Sequence, residues 1–309
     1  MKFSIVVPVY NKASTLPKSI DSVLKQTFKD FEILVVDDGS SDNFEEIICS
    51  YTGCDNIRVF RQTNLGVSVA RNNAIEHASG DYICFLDADD IYLPNHLEVL
   101  NSLITKYNGQ SFFCTSHITE FSTKLEKRSD DLLRGLEQDF LCANIFSLLN
   151  ARGDGIVHTN SICVNRKVLL ENGLLFEPGE RIGEDTDLWF RVALLKPVVL
   201  SKKVTTVYRR QHSTATAVTT NSFSWIFAKR IESIKEMRID ERIKVDCFKL
   251  IDRYMMKCSR DKIAIGQRSE ARLWLKQVKY KNKKFYLSGL LLLLPTKIAQ
   301  ELIRLKTRN

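Results

Sequence analysis

Carboxylates follow two of the predicted strands of this chain, at the point where each apolar run ends. Asp37 and Asp38 come after one run, and Asp87, Asp89 and Asp90 come after another. Three carboxylates within four residues repel one another unless a cation or a basic group neutralises them. Carboxylate oxygens suit Mg²⁺ or Mn²⁺. The second group therefore predicts a divalent-metal site, whereas the first is equally compatible with turn chemistry before a helix.

An arginine on a predicted apolar helix face accompanies these carboxylates. Arg71 lies in a helix predicted over 67–78, one residue after Ala70 of its apolar stripe. An arginine in that position needs an anionic partner. We interpret Arg71 as held near the acidic strand ends, and the alternative is a side chain that extends its long stem to solvent.

Two adjacent acids, Glu184 and Asp185, begin a later predicted helix. A carboxylate within hydrogen-bond reach of a hydroxyl group can act as its general base. Acidic residues are also favoured at helix N-termini for electrostatic reasons alone. Both interpretations stay open from these two residues by themselves.

The elements that must position these groups alternate short apolar runs with amphipathic stretches, as in parallel sheets joined by crossover helices. We predict an open, doubly wound α/β sheet with ligands at the carboxyl ends of its strands. The polar segment 120–150 is predicted to be an insertion or a lid. The predicted strands are Phe3–Val9, Phe31–Val36, Ile57–Phe60, Tyr82–Leu86, Phe112–Thr115, Ile162–Val164 and Val204–Arg209.

Charge is distributed unevenly over the 309 residues, whose net charge is +8. Residues 221–309 carry 22 Lys and Arg against 9 Asp and Glu, a net +13, which leaves −5 for residues 1–220. We predict a catalytic domain over 1–220 and a basic helical region over 221–309. A basic region of this kind suits an anionic membrane, nucleic acid or an acidic partner, or is a solvated helical surface.

Cysteine usage and the first residues bear on location. The eight cysteines form no Cys-x-x-Cys pair, which disfavours zinc sites and disulfide frameworks. Met1-Lys2-Phe3-Ser4 leads directly into a predicted strand without a signal-peptide pattern. We therefore predict a cytoplasmic protein, with peripheral attachment to the inner face of the cytoplasmic membrane as a further possibility.

Four segments, in this order and spacing, resemble glycosyltransferase family 2. They are Val6-Val7-Pro8-Val9-Tyr10-Asn11, Val36-Asp37-Asp38-Gly39-Ser40, residues 66–72 and Asp87-Ala88-Asp89-Asp90. The resemblance spans about residues 3–95, with later pieces extending it to about 216. It implies the Rossmann-like, mostly parallel GT-A fold, with a nucleotide-sugar half over about 1–116 and an acceptor half over about 117–220. It also implies an inverting, metal-dependent transfer of a hexosyl or N-acetylhexosaminyl group.

The resemblance assigns roles to individual residues. The nucleotide, usually uridine, would be bound by Pro8, Tyr10 and Asp38, or by Asp37 in place of Asp38, with Arg71 nearby. In the Asp87-Ala88-Asp89 element, Asp87 would contact the ribose and Asp89 would bind Mn²⁺ or Mg²⁺. Glu184 and Asp185 resemble the acceptor-side pair of the family, in which the aspartate is the general base.

A later segment, 208–216, is similar to an Arg-x-His element of many family members. There Arg210 would contact a phosphate, and His212 would complete the metal shell or meet the diphosphate; the alternative for His212 is an exposed loop histidine. The Gln-x-x-Arg-Trp motif of processive family members is missing, because 267–274 has a different sequence. We therefore expect one sugar to be added per encounter.

The C-terminal segment 279–309 combines basic and aromatic residues around the leucine run 290–294. That run is far shorter than the roughly 18 residues of a membrane-spanning helix. The composition suits an interfacial segment on an anionic membrane, with a lipid-linked saccharide as acceptor in cell-surface polysaccharide or lipooligosaccharide synthesis. The alternative is a helix packed on the catalytic domain or on a second subunit.

Rival functions are a catalytically inactive glycan- or nucleotide-binding partner subunit, a sugar-phosphate nucleotidyltransferase and a nucleic-acid-binding protein. A nucleotidyltransferase would need a glycine-rich phosphate loop after the first strand, but residues 8–13 contain no glycine. Nucleic-acid binding would share the charge of the C-terminal region but does not explain its consecutive leucines.

Overall fold

A computed structural model describes residues 2–121, 126–180, 182–210 and 226–307 of the chain. Its contacts divide the protein into two compact units, Met1–Ala215 and Thr216–Asn309. The first unit holds a large sheet with helices, and the second is helical in its described residues.

The elements of the first unit alternate along the chain. The strands are β1 (Phe3–Val9), β2 (Phe31–Asp37), β3 (Ile57–Arg61), β4 (Tyr82–Phe85), β5 (Ile91–Tyr92), β6 (Phe112–Phe121), β7 (Glu126–Arg128), β8 (Asp139–Cys142), β9 (Ile162–Asn165) and β10 (Val198–Arg210). The helices are α1 (Leu16–Leu24), α2 (Phe44–Cys49), α3 (Val67–His77), α4 (His96–Lys106), α5 (Ile145–Arg152), α6 (Arg166–Glu171) and α7 (Glu184–Leu195). Short 3-10 helices cover Ser129–Leu133 and Thr159–Ser161.

In the described residues the strands form one sheet in the order β3-β2-β1-β4-β9-β6-β10-β5, with β7 paired to β6 and β8 to β10. The β3, β2, β1 and β4 strands are mutually parallel, as are β6 and β10. The β9 and β5 strands run antiparallel to their neighbours. The predicted mostly parallel α/β sheet is thus confirmed.

Apolar side chains on both sheet faces explain why β1 and β2 are buried along their whole length. On one face, Phe3, Ile5 and Val7 of β1 share a core cluster with residues of α1, α2 and α4. On the other face, Phe85 of β4 packs edge-on against Trp189 of α7 at 5.0 Å between ring centroids. Burial on both faces is the expected property of strands in a doubly wound sheet.

The antiparallel strand β9 determines which residues meet at the carboxyl end of β4. Cys84 of β4 lies opposite Cys163 of β9. Since the two strands run in opposite directions, the residues just before β9 lie beside those just after β4. The 3-10 helix Thr159–Ser161 is therefore placed next to the acidic segment 87–90.

Two segments differ from the sequence-based expectation. The segment 120–150 was expected to be an insertion or lid, but β7, β8 and α5 build part of it, and both strands pair within the sheet. The last strand begins at Val198 rather than Val204. The polar run Ser201-Lys202-Lys203 separates Val198–Leu200 from Val204 in the sequence, and the pairing of the strand with β6 shifts register over the same stretch.

The second unit is helical in its described residues. Its helices are α8 (Ile231–Glu236), α9 (Glu241–Ala264), α10 (Arg268–Gln277), α11 (Lys283–Leu291) and α12 (Thr296–Thr307), after a 3-10 helix over Ile226–Arg230. The Asp240 side chain caps α9 by accepting from Arg242 N at 2.7 Å. The α9 helix packs against α10, α11 and α12. No helix in the described part of the chain is both long and apolar enough to cross a membrane.

Candidate active site

Arg71 of α3 joins two acidic motifs that are far apart in sequence. Its Nη2 donates to Asp87 Oδ1 at 2.8 Å, and its Nη1 donates to Glu184 Oε1 at 3.1 Å. The predicted anionic partners of Arg71 are therefore carboxylates of the protein itself. This arrangement brings the carboxyl end of β4 and the N-terminus of α7 together in one site.

The Arg71 side chain is buried, with only 5% of it exposed. Its guanidinium lies 5.0 Å from the centre of the Phe176 ring, a cation–π contact. Its Nε has no hydrogen-bond partner among the described residues. Burial alone would lower the pKa of Arg71, but the charges of Asp87 and Glu184 outweigh it and raise the pKa.

Asn160, in the 3-10 helix before β9, holds the acidic segment from the other side. Its Oδ1 accepts from Asp87 N at 3.1 Å, and its Nδ2 donates to Asp90 Oδ2. Asp90 Oδ1 also accepts from Arg209 N at 2.7 Å. Asp90 is thus a buried structural residue that ties β10 and the 159–161 turn to the end of β4.

Burial raises the pKa values of two carboxyl groups at the site. The pKa of Asp90 is raised first by its burial and then by the negative charge of Asp87. The pKa of Glu184 is raised first by its burial and then by the negative charge of Asp185, while the positive charge of Arg71 opposes this shift. Such shifts are typical of carboxylates concentrated at a functional site.

Asp185 is positioned by the residue next to Asn160. Its Oδ2 accepts from the Thr159 hydroxyl at 3.0 Å, and Trp189 Nε1 donates to that same hydroxyl at 3.1 Å. Its Oδ1 accepts from Thr186 N at 2.6 Å. The carboxylate of Asp185 is only partly buried. It is therefore held in a fixed orientation while retaining access to solvent.

A stack of three rings lies beside these carboxylates. The His158 ring is 4.7 Å from that of His117 and 4.5 Å from that of Tyr208. Desolvation lowers the pKa of His158, and the charges of Asp87 and Asp185 oppose the shift. His158 thus lies within electrostatic reach of both acidic motifs.

The two aspartates at the end of β2 have different environments. Asp38 Oδ1 accepts from Gln62 Nε2 and Leu65 N, both at 2.8 Å, and its Oδ2 accepts from Gly66 N at 2.9 Å. Asp37 Oδ1 accepts from Ser40 N at 2.9 Å, and no described residue donates to its Oδ2. Asp38 therefore fastens the loop that leads into α3, whereas Asp37 keeps an oxygen for another partner.

Asp89, the predicted metal ligand, forms an ion pair with Lys12. Lys12 Nζ lies 2.6 Å from Asp89 Oδ2, and about a quarter of each side chain is exposed. The described residues contain no group of three or more His, Cys, Asp or Glu side chains that could hold a metal ion. A hard carboxylate oxygen at this position fits one ligand of Mg²⁺ or Mn²⁺. Within the described residues, the remaining ligands would be water or phosphate oxygens.

The other predicted residues have these positions. Pro8 is buried in β1 opposite Val36, and Ala88 is buried. Tyr10, just past β1, is 48% exposed. The Arg210 side chain and the whole of His212 lie outside the described residues.

Sequence reasoning missed the segment 158–160 and the loop-fastening role of Asp38. The position of the first follows only once β9 is known to pair antiparallel with β4, since the polar residues before β9 then lie at the acidic end of β4. No sequence signal distinguishes Asp37 from Asp38.

The model of the glycosyl transferase family 2 matches residues 4–163, more than half of the 309 residues. The chain therefore belongs to glycosyl transferase family 2, and the resemblance seen in its motifs is confirmed.

This chain matches several glycosyltransferases over part of their length. An uncharacterized glycosyltransferase of Rickettsia felis is 32% identical over 209 residues, 65% of this chain and 33% of that protein. The UDP-Glc:alpha-D-GlcNAc-diphosphoundecaprenol beta-1,3-glucosyltransferase WfgD of Escherichia coli is 42% identical over 105 residues, 34% of this chain and 42% of that protein. The match spans between 26% and 61% of the length of the first curated relatives.

Solved structures share the fold. TarS 1–349 of S. aureus in complex with UDP-GlcNAc has a TM-score of 0.74 and 19% identity, covering 90% of this chain and 82% of that one. The mannosyltransferase PcManGT from Pyrobaculum calidifontis was solved in complex with GDP-Man and Mn²⁺. It has a TM-score of 0.57 and 15% identity, and the match covers 98% of this chain and 84% of that one. The predicted GT-A fold is confirmed.

Proposed function

We propose that this protein transfers one sugar from a nucleotide sugar to a hydroxyl group of a saccharide acceptor, with inversion at the anomeric carbon. The observation that carries the proposal is the double ion pair of Arg71 with Asp87 and Glu184. It joins Asp87 and Glu184, which lie in the segments that resemble the donor-side and acceptor-side motifs of the family. Membership of the family supports transferase chemistry.

The donor is bound at the carboxyl ends of β1, β2 and β4. The half-exposed Tyr10 ring and the available oxygen of Asp37 suit a nucleobase, which a ring face and a carboxylate accepting from a ring N–H can recognise. A uridine donor is favoured, since TarS is solved with UDP-GlcNAc and WfgD is named for UDP-Glc. Pro8 and Ala88 shape the backbone of this site, and Arg210 contacts a phosphate.

The acceptor hydroxyl loses its proton to Asp185 as its oxygen attacks the anomeric carbon. The bond from that carbon to the diphosphate breaks, and the nucleoside diphosphate leaves. Asp185 suits this role because Thr159 and Thr186 fix its orientation while it stays accessible. Glu184 is held by Arg71 and positions the start of α7.

A divalent cation at Asp89, Mn²⁺ or Mg²⁺, would supply Lewis-acid stabilisation of the departing diphosphate. The fit of a hard oxygen ligand at this place supports the assignment, as does the Mn²⁺ in the PcManGT structure. His212 is the further candidate ligand from the chain. Lys12 is the group that neutralises Asp89 in the protein alone.

We further propose that the acceptor is lipid-linked and that the helical unit attaches to the inner face of the cytoplasmic membrane. The basic excess of 221–309 and its leucine run support attachment. The name of WfgD, which includes a diphosphoundecaprenol acceptor, supports the acceptor class. Such a transfer belongs to the synthesis of a cell-surface polysaccharide or lipooligosaccharide.

Thermal unfolding with a panel of UDP-, GDP- and dTDP-sugars, with and without Mn²⁺, tests donor binding. A donor at about a hundred times its dissociation constant stabilises the folded protein by about 2.7 kcal/mol. The selected donor is then assayed for release of nucleoside diphosphate with acceptor mixtures. Turnover supports the proposal, whereas binding without any turnover supports the alternative of an inactive partner subunit.

A further inference from the structure

The helical unit contains an apolar cavity of about 600 Å³ between the C-terminal half of α9, α11 and α12. Its volume is in the range of cavities that enclose small ligands. The aliphatic side chains that line it are Leu287, Leu290, Leu291, Leu294, Leu302 and Ile303.

Helical spacing explains how α11 contributes to this lining. Leu287, Leu290 and Leu291 recur at intervals of three and four residues, which places them on one face of α11, and Leu294 follows in the bend after the helix. That face is not closed by neighbouring helices, since Leu287 is 44% and Leu290 is 56% exposed. Leu302 on α12 is 46% exposed at the same cavity. Contiguous exposed apolar surface of this kind marks a site of interaction.

Basic side chains line the same cavity. Lys257 and Arg260 on α9 and Lys284 on α11 contribute three positive charges, against one negative charge from Asp261. A net positive lining beside an apolar interior matches a ligand with an anionic head and a hydrocarbon chain. It does not match a purely apolar ligand, which would offer no anionic group to the three positive charges.

We propose that this cavity binds one anionic phospholipid of the bilayer, with an acyl chain among the leucines and the phosphate near Lys257, Arg260 and Lys284. The proposal rests on the membrane attachment proposed above, but not on the transfer reaction. Burying an acyl chain adds a hydrophobic contribution that grows with each methylene group and comes in addition to the attraction of the basic residues. A lipid bound in the cavity would thus attach the helical unit to the membrane, and α11 would not have to span the bilayer.

Co-sedimentation of the full chain with phosphatidylglycerol or phosphatidylcholine vesicles is the first arm of the test. We expect sedimentation with phosphatidylglycerol only. Leu291→Trp fills the cavity and should weaken binding by at least about fivefold, whereas Leu293→Trp should not, since Leu293 is 79% exposed and outside the cavity. Equal binding by both variants would mean surface adsorption and would overturn the proposal.

The second arm tests the charges. Arg260→Gln should weaken phosphatidylglycerol binding by about fivefold, which corresponds to about 1 kcal/mol for one basic residue at a membrane. Arg272→Gln is the matched control, because Arg272 is exposed but does not line the cavity. Equal losses in the two variants would indicate diffuse electrostatic attraction and contradict a defined headgroup site.

The third arm distinguishes chain insertion from other occupants. Leu290 lines the cavity but is 56% exposed, so a tryptophan at this position reports on the cavity without filling it. In Leu290→Trp, phosphatidylglycerol brominated on its acyl chains should quench the fluorescence gained over the parent, and soluble glycerol phosphate should not displace the vesicles. Absence of quenching despite vesicle binding would remove the acyl chain from the cavity. A change in oligomeric state of Leu291→Trp by light scattering would instead assign the cavity to a second copy of the chain. If the parent protein fails to bind phosphatidylglycerol vesicles while its donor turnover is intact, the lipid site alone is rejected.

Discussion

Arg71 donates to Glu184 across 113 residues of sequence, and both side chains are almost completely buried. The same guanidinium binds Asp87 at the end of β4. An ion pair buried in this way is worth little compared with an apolar pair of the same shape, but losing one partner leaves an uncompensated buried charge. Its value here is geometric, because it fixes the start of α7 against the end of β4.

Replacing Arg71 should therefore destabilise the protein strongly. Arg71→Met leaves Glu184 and Asp87 without their cation and should lower the free energy of unfolding by about 3–5 kcal/mol. Urea denaturation followed by circular dichroism measures this loss. Arg134→Met is the control, because Arg134 is 83% exposed and should change stability by less than about 0.5 kcal/mol. A loss below about 1 kcal/mol in Arg71→Met would mean that the buried pairs do not organise the site.

Asp37 and Asp38 should separate in their effects. Asp38→Ala leaves the N–H groups of Leu65 and Gly66 without their acceptor, so stability should fall by at least about 2 kcal/mol. Asp37→Asn should cost less than about 1 kcal/mol but weaken nucleotide-sugar binding by about tenfold or more, the equivalent of about 1.4 kcal/mol. Chemical denaturation and donor titration by calorimetry check the two effects. A stability loss in Asp37→Asn, together with weakened donor binding and little stability loss in Asp38→Ala, would assign the nucleobase contact to Asp38 instead.

Lys12 should compete with a metal ion for Asp89. Lys12→Met removes the ion pair, so Mn²⁺ should bind the protein about two- to fivefold more tightly in the absence of nucleotide, in line with a partly exposed pair. Electron paramagnetic resonance of free Mn²⁺ measures this affinity. Lys18→Met on the exposed side of α1 is the control for the lost charge. If Asp89→Asn binds Mn²⁺ as well as the parent does, Asp89 is not a ligand.

Glu32 should make the fold sensitive to acid. Burial alone would raise its pKa, but donors from Ser4, Ser79 and Arg58 outweigh burial and lower the pKa from 4.5 to about 2. Since the folded value is lowered, the contribution of Glu32 is complete above pH 4.5 and is lost as the pH falls through about 2.

Glu32→Gln should therefore be less stable than the parent at neutral pH. The difference in free energy of unfolding between the two proteins, the stability gap, should shrink as the pH falls from 4.5 to 2. Denaturation at a series of pH values measures the gap. In Glu45→Gln, the free energy of unfolding should depend on pH as it does in the parent, because the Glu45 side chain is 61% exposed. A constant gap over the whole range would show that Glu32 has an ordinary pKa.

The sequence was sufficient for the strands β1 to β4 and for the acidic residues at their ends, because buried parallel strands are continuous apolar runs and ligands bind beyond their carboxyl ends. It could not pair Arg71 with Glu184, since nothing local links residues 113 positions apart. Asn160 was missed because a polar residue before a strand has no periodicity. The strands β7 and β8 within the 120–150 segment were not predicted, because β7 is Glu-Lys-Arg and has no apolar residue, and β8 is only four residues long.

The most direct measurement is sugar transfer by Asp185→Asn, assayed with the donor and acceptor that the parent uses. The account predicts that donor binding by calorimetry is retained within about twofold, since Asp185 lies on the acceptor side, while turnover falls by about 10²-fold or more, the typical contribution of a general base. Asn is isosteric with Asp and can still accept from Thr159, so folding should be preserved. Turnover equal to that of the parent would contradict the assignment of Asp185 as the base.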